Sequence, residues 1–351
     1  MSECLMAQRG GKYTRGRTIT DENLTANKIG GDLIWGPTSF YSNGYYSDVT
    51  TDGNRFYITR LGSLEVGSYH LMCIDPEENG IPAWGLQGAP LGTIAFKHTL
   101  VGDRILVGLF GNGITGTPSL ESYDINGNLK WSYKETQSDS TISVTACCWD
   151  DAGNAYAFLN NGYIVKLNSD GVLQWRVHAN TTAISNYAIC VGGTKLYVVY
   201  TIGIEIYDTT SGTVINTNYL SMNLESAPTS VVISDDKSHI YFPMGQTKLV
   251  SVDVSGSTSG VIDYTVIFMH NTYGVDYHNG FLYVGGDLEK YRASTGTLIW
   301  HRSYSDIPNN NGIIGRVSVN DNAQILGISN YTGSDAKILL AEANDVYTIT
   351  N

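Results

Sequence analysis

An all-β, seven-bladed β-propeller of four-stranded antiparallel blades is the architecture this sequence predicts, and three observations predict it. A glycine is followed four residues later by an aromatic at Gly80/Trp84, Gly127/Trp131, Gly171/Trp175, Gly260/Tyr264 and Gly296/Trp300. A second ladder of tight polar turns separates alternating hydrophobic runs, as at Asp52–Asn54, Gly102–Asp103, Asp151–Asn154, Gly192–Gly193, Asp235–Asp236, Asn279–Gly280 and Asp321–Asn322. The turns recur at roughly 40 to 50 residues, the length of a four-stranded blade. Finally, Gly31 and Trp35 repeat the glycine-to-aromatic spacing with no blade in front of them.

Each turn in the second ladder supplies the backbone freedom that a hairpin requires, and each leads into a strand-like run such as Arg55–Thr59, Lys195–Val199 or Phe281–Val284. Gly212 keeps the spacing of the first ladder but reaches Asn216, so that repeat reads as having lost its aromatic. At the C-terminus, residues 337–347 supply strands of a last blade with no closing one. The economical solution makes Asp32 to Trp35 the outer strand of the seventh blade, joining both ends of the chain into a ring that exposes only short strand edges. The domain reading is then a basic N-terminal arm over residues 1–30 and a propeller over 31–351. Trp35, Trp84, Trp131, Trp175, Tyr264 and Trp300 read as blade-packing residues, because one large flat side chain can cover the gap between neighbouring blades.

Composition narrows the function. The chain has 351 residues, 42% hydrophobic and 15% charged, with a formal net charge of -12, which is a globular rather than a disordered balance. No run approaches the roughly 18 apolar residues of a membrane span. Met1–Arg17 lacks the apolar segment of a secretory leader, so the expected location is the cytoplasm where the chain is made. Five cysteines, scattered and without a C-x-x-C pair, argue against a disulfide framework or a cysteine zinc site. The acidic body argues against nucleic-acid binding, except through the arm, where Arg9, Lys12, Arg15 and Arg17 stand against Glu3.

Three units, Tyr123–Trp131, Tyr207–Ile215 and Arg292–Trp300, place a polar turn and its glycine ahead of an apolar strand. They resemble the PQQ-like repeat of quinoprotein propellers, in which an Asp begins the turn, Thr-Gly closes it and the Trp docks on the neighbouring blade. The resemblance covers the organisation of residues 31–351. Arg292 stands where that repeat has Asp, and Asn216 where it has Trp. Some quinoprotein dehydrogenases carry a vicinal disulfide beside their quinone and calcium, and the resemblance points to Cys147 and Cys148 as the matching pair. Strand alternation alone reads the same two residues as small buried side chains, one on each face.

No other local motif signals catalysis. Asp48–Asn54 and Asp150–Asn154 alternate acidic and amide side chains but lack the spacing and closing Glu of a calcium loop, and read as hairpin turns. The seven histidines stand singly, and no nucleophile elbow, phosphate loop or His-Glu-x-x-His element occurs. The leading reading is a non-enzymatic interaction or structural propeller with no cofactor, no metal and no membrane partner. It would present a loop-rich face to a protein assembly or a glycan, with the arm as tether, as a bacteriophage virion or host-surface-binding component would. The alternative is a PQQ-dependent quinoprotein-like dehydrogenase using Cys147 and Cys148.

Overall fold

The computed structural model describes residues 33–38, 45–61, 69–78, 81–87, 91–97, 103–109, 119–135, 142–180, 187–221, 228–244, 247–256, 259–267, 274–303, 314–329 and 338–342. The arm over residues 1–30 and the turn glycines Gly31 and Gly80 lie outside them. After β1 (Leu33–Thr38), blade 1 is built from β2 (Tyr45–Thr51), β3 (Phe56–Leu61), β4 (Leu71–Ile74) and β5 (Pro82–Leu86). Blade 2 follows with β6 (Leu91–Lys97), β7 (Arg104–Leu109), β8 (Leu120–Tyr123) and β9 (Leu129–Tyr133). Blade 3 contains β10 (Val144–Trp149), β11 (Ala155–Leu159), β12 (Tyr163–Leu167) and β13 (Leu173–His178). Blade 4 contains β14 (Ala188–Gly192), β15 (Lys195–Tyr200), β16 (Gly203–Asp208) and β17 (Val214–Ser221). Blade 5 is β18 (Val232–Ile233), β19 (His239–Met244), β20 (Lys248–Asp253) and β21 (Val261–Ile267). Blade 6 is β22 (Val275–His278), β23 (Phe281–Val284), β24 (Leu288–Arg292) and β25 (Thr297–Arg302). The seventh sheet has β26 (Ile314–Val319), β27 (Gln324–Ser329) and β28 (Ile338–Glu342), with β1 antiparallel to β28 at its outer edge.

The first strand of each blade touches the first strand of the next, in the cycle β2, β6, β10, β14, β18, β22, β26 and back to β2. Every blade has two faces to bury, and the apolar residues divide accordingly. Among the described residues they form seven clusters, one per boundary between neighbouring blades. Val49, Phe56 and Ile58 of blade 1, for example, meet Leu326, Ile328 and Leu340 of blade 7. The core is thus a ring of walls around the axis.

The outer-strand aromatics latch these walls. The Trp84 indole donates to the carbonyl of Ile125 at 3.1 Å, Trp131 to Ser169 at 2.9 Å and Trp175 to Thr209 at 3.1 Å, each acceptor lying in the last turn of the following blade. Tyr264 makes the same bond through its hydroxyl, to Ala293 at 2.6 Å. The ring lies flat on that turn's glycine. A β-carbon on Gly171 would stand 2.6 Å from the Trp131 indole, and one on Gly212 would stand 2.8 Å from Trp175. Both glycines also have positive φ, +80° and +73°, so close approach and backbone conformation demand glycine together. Trp300 is buried against blade 7. Trp35 sits in β1, with a side chain outside the described residues.

Blade 4 has not lost its aromatic, contrary to the sequence expectation at Asn216. Asn216 keeps the strand register of the missing tryptophan, opposite Ile206, but the next pairing is Leu220 with Ile204. Two extra residues therefore bulge from β17, and Tyr219 turns into the boundary. Its hydroxyl donates to Gly256 at 2.8 Å, and its ring covers Gly260.

Abundant tyrosine has a similar origin, because a buried hydroxyl needs an acceptor. Tyr57 donates to Asp52 at 2.6 Å and Tyr156 to Asp150 at 2.9 Å, each reaching the hairpin of its own blade. In blades 2, 4 and 6, Tyr123, Tyr207 and Tyr291 donate to the glutamates two positions earlier, Glu121, Glu205 and Glu289.

Replacing Tyr219 by Ala should cost about 3–5 kcal/mol in urea unfolding, and Tyr219→Phe about 1 kcal/mol for the lost hydrogen bond. Asn216→Ala should stay within about 1 kcal/mol; a costly Asn216→Ala beside a silent Tyr219→Ala would contradict the latch. His70 is 4% exposed, and burial lowers its pKa from 6.5 to about 4. Below pH 6.5 the unfolded chain takes up a proton that the folded one refuses, so stability falls as pH drops from 6.5 to 4. The pH slope of the native protein should exceed that of His70→Phe, by on the order of 3 kcal/mol across this window; parallel curves would contradict the assignment.

Candidate functional site

Two regions collect polar side chains where a partner could reach them: the channel on the ring axis and the end of the ring where the hairpin turns gather. The channel encloses about 690 Å³ and is lined by first strands, including Thr145–Trp149, Ala188–Val191, Gly274–Tyr277 and Arg316–Ser318. Its wall differs around the circumference. Val275 N–H donates to Ser230 Oγ at 3.1 Å across the boundary of blades 5 and 6. Asp276 then accepts from Val319 N–H at 2.8 Å and from the Ser318 hydroxyl at 3.2 Å, joining blades 6 and 7. Arg316 pairs with Asp48 at 3.7 Å, joining blades 7 and 1.

Asp48 and Asp276 are therefore engaged in holding first strands together. Burial raises the pKa of Asp276, while its bonds from Val319, Tyr277 and Ser318 pull it back. Sequence spacing could not find this pair, because Asp48 and Asp276 come from blades far apart in the chain and converge only when the ring closes.

Cys147 and Cys148 do line the channel wall, but they separate onto opposite faces of β10. Cys147 packs in the wall between blades 2 and 3, with Trp131 and Tyr133, while Cys148 packs in the wall between blades 3 and 4, with Tyr156 and Tyr187. Neither is in a disulfide, nor is Cys73 or Cys190. Burial pushes the thiols of Cys73 and Cys190 up to about 12, the direction of inert rather than nucleophilic sulfur.

Trp84, Trp131, Trp175 and Tyr264 each donate across a blade boundary, and none of them lines the channel. Asp150–Asn154 is the hairpin between β10 and β11, with the Asp150 carboxylate accepting from Ala152 and Asn154 N–H groups at 3.0 and 2.8 Å. Asp52 organises the preceding hairpin of blade 1 in the same way, through Asn54 and Arg55 N–H groups at 2.9 and 2.7 Å.

Antiparallel pairing sends the turn between first and second strands, and that between third and outer strands, to one end of the ring. Contacts between the turns agree with this. Asp321 N–H donates to Gly53 at 2.8 Å, and Lys195 Nζ to Gly256 at 3.3 Å. That end is acidic. Among the described residues, its exposed carboxylates are Glu77, Glu78, Asp151, Asp170, Asp235, Asp236 and Asp321. Among the described residues, the exposed cations on the same turns are Lys130, which Asp124 engages at 2.8 Å, and Arg292. Serine hydroxyls and the Ser238 N–H hold Asp236 at a pKa of about 2, so its charge persists to low pH.

No family model matches the chain. Nor does any curated protein. Solved structures do resemble it in fold. The β-propeller domain of Cps50 (Swd1) from Myceliophteria thermophila superposes with a TM-score of 0.65 at 13% identity, covering 89% of this chain and 99% of that one. The WD40 β-propeller domain of Doa1 gives a TM-score of 0.63 at 12% identity, covering 90% of this chain and 97% of its own. The resemblance to PQQ-like repeats has no family match beside it, and the structural likeness is to WD40 propellers.

Two groups of imidazole and carboxylate stand apart from the channel, His239 with Asp253 and Asp263, and His301 with Asp287 and Glu289. Single histidines in the sequence concealed them, since cross-strand register brings each group together.

Under non-reducing conditions, denaturation followed by alkylation and peptide mass analysis should show both Cys147 and Cys148 modified. Recovery of an unmodified, reducible Cys147–Cys148 peptide from freshly purified protein would contradict the thiol assignment.

Proposed function

We propose that this chain is a non-enzymatic protein-interaction scaffold whose acidic turn face receives a Lys/Arg-rich segment of a partner protein. The observation that carries this reading is the one-sided gathering of exposed carboxylates, from Glu77 in blade 1 through Asp170 and Asp235 to Asp321 in blade 7. They stand on turns whose backbones are fixed by hydrogen bonds, so the charges are preorganised at that end of the ring. A concentration of one sign of charge raises the encounter rate with an opposite partner and selects against a like one. The channel supports the same reading, since Asp48 and Asp276 bind neighbouring strands.

The test is calorimetric titration of the full chain with a Lys/Arg-rich peptide and with an acidic peptide of equal length, at low and physiological salt. The basic peptide should bind with an affinity that falls with salt. The triple variant Glu77→Lys, Asp170→Lys, Asp321→Lys should lose at least about tenfold in affinity, with unchanged unfolding behaviour. Equal binding of both peptides, or no response to the triple variant, would contradict the proposal.

A further inference from the structure

In blade 6, Asp287 immediately precedes β24, Glu289 lies two residues on along the same strand face, and His301 of β25 pairs directly opposite Glu289. The carboxylates are buried, 5% and 8% exposed, whereas the His301 side chain is 40% exposed. His301 Nε2 stands 3.1 Å from Asp287 Oδ2 and 4.0 Å from Glu289 Oε1. The other oxygen of each carboxylate is held from outside. Ser303 Oγ donates to Asp287 Oδ1 at 3.3 Å, and the Tyr291 hydroxyl donates to Glu289 Oε2 at 2.7 Å. One oxygen of each carboxylate and one imidazole nitrogen thus converge, all within 4.8 Å of one another.

A second observation comes from the repeat itself. The Glu-x-Tyr unit and its hydrogen bond recur in blades 2, 4 and 6, so Glu289 and Tyr291 belong to the common framework. Two positions before that glutamate, however, blade 2 has Ser119 and blade 4 has Gly203, where blade 6 has Asp287. Opposite the glutamate, blade 2 has Ser132 where blade 6 has His301. Blade packing is achieved in the other blades without these two groups. At blade 6 they set an imidazole against a buried carboxylate, His301 Nε2 lying 3.1 Å from Asp287 Oδ2.

We propose that Asp287, Glu289 and His301 bind a divalent transition-metal ion of the zinc class. Three ligands at about 2.0–2.2 Å from one ion in tetrahedral directions lie roughly 3.3–3.5 Å apart, between the two separations seen at His301. Two carboxylate oxygens with an imidazole suit zinc rather than magnesium or calcium, which take oxygen alone. Ser303 and Tyr291 are the outer partners that orient ligating carboxylates. The exposed edge of His301 gives the ion its entry and leaves a fourth position for water or a partner's side chain. The site lies at the end of the ring opposite the acidic turns, so it stands independently of the interaction proposed there.

The other group offers an internal control. His239 Nε2 stands 2.7 Å from Asp263 Oδ2, closer than His301 stands to Asp287, and Asp263 is exposed rather than buried. The experiment is calorimetric titration of the chelator-treated full chain with zinc chloride, paralleled by cobalt chloride with visible absorbance. One equivalent should bind, with a visible cobalt band of four-coordinate character. His301→Ala, His301→Gln and Asp287→Asn should each weaken uptake at least about tenfold, while His239→Ala leaves it unchanged. No uptake, uptake retained in both His301 variants, or loss of uptake in His239→Ala alone would overturn the proposal. Because His301 is at the surface, unfolding curves of its variants without metal should match the native chain, and a binding loss explained by unfolding would also count against it.

Discussion

The bond from an outer-strand aromatic to a turn carbonyl of the following blade is the contact on which the ring depends. A four-stranded antiparallel sheet has two apolar faces and cannot bury either alone, so each blade is stable only through its neighbours. Apolar burial is non-directional and would tolerate sliding of one sheet over the next. The Trp131 indole, bonded to Ser169 and pressed against Gly171, removes that freedom, because a shift that breaks the bond also exposes or overpacks the ring. Repetition of this contact at Trp84, Trp175, Tyr219 and Tyr264 sets the spacing of successive turns.

The same constraint orders the parts that a partner would meet. Latching fixes the turns of the third and outer strands, and the hairpins beside them carry the acidic side chains, so charge is displayed on a stiff support. Meanwhile the channel wall is tied by Ser230, Asp276, Ser318, Arg316 and Asp48 on the side of blades 5, 6, 7 and 1. Around blade 3 the wall is made with thiols facing apolar clusters. Polar groups that would be chemically suggestive in a sequence are here occupied with closing the ring.

The repeat was legible because glycine, aromatic and hairpin residues each answer a local demand that spacing preserves. Seven blades, their antiparallel order and the separation of Cys147 from Cys148 follow from periodicity alone. Tyr219 was hidden because a bulge in β17 moves the aromatic three residues past its expected place, and a fixed spacing reads Asn216 instead. The contacts of Asp276 with blade 7, and of His301 with Asp287 and Glu289, depend on ring closure and cross-strand register. No linear motif encodes either. The Glu-x-Tyr unit at Glu121, Glu205 and Glu289 was the available signal, and it marks the place from which blade 6 departs.

Hydrogen exchange of the tryptophan indoles, resolved by NMR on indole-labelled protein, tests the latch most directly. Trp84, Trp131 and Trp175 donate across blade boundaries although their rings are only partly buried. The account predicts that these three indole protons exchange slowly, together with the amides of the first strands, because each opens only when neighbouring blades part. Exchange at the rate of exposed indoles, while the first-strand amides stay protected, would show that the ring is held without the latch and would contradict the account.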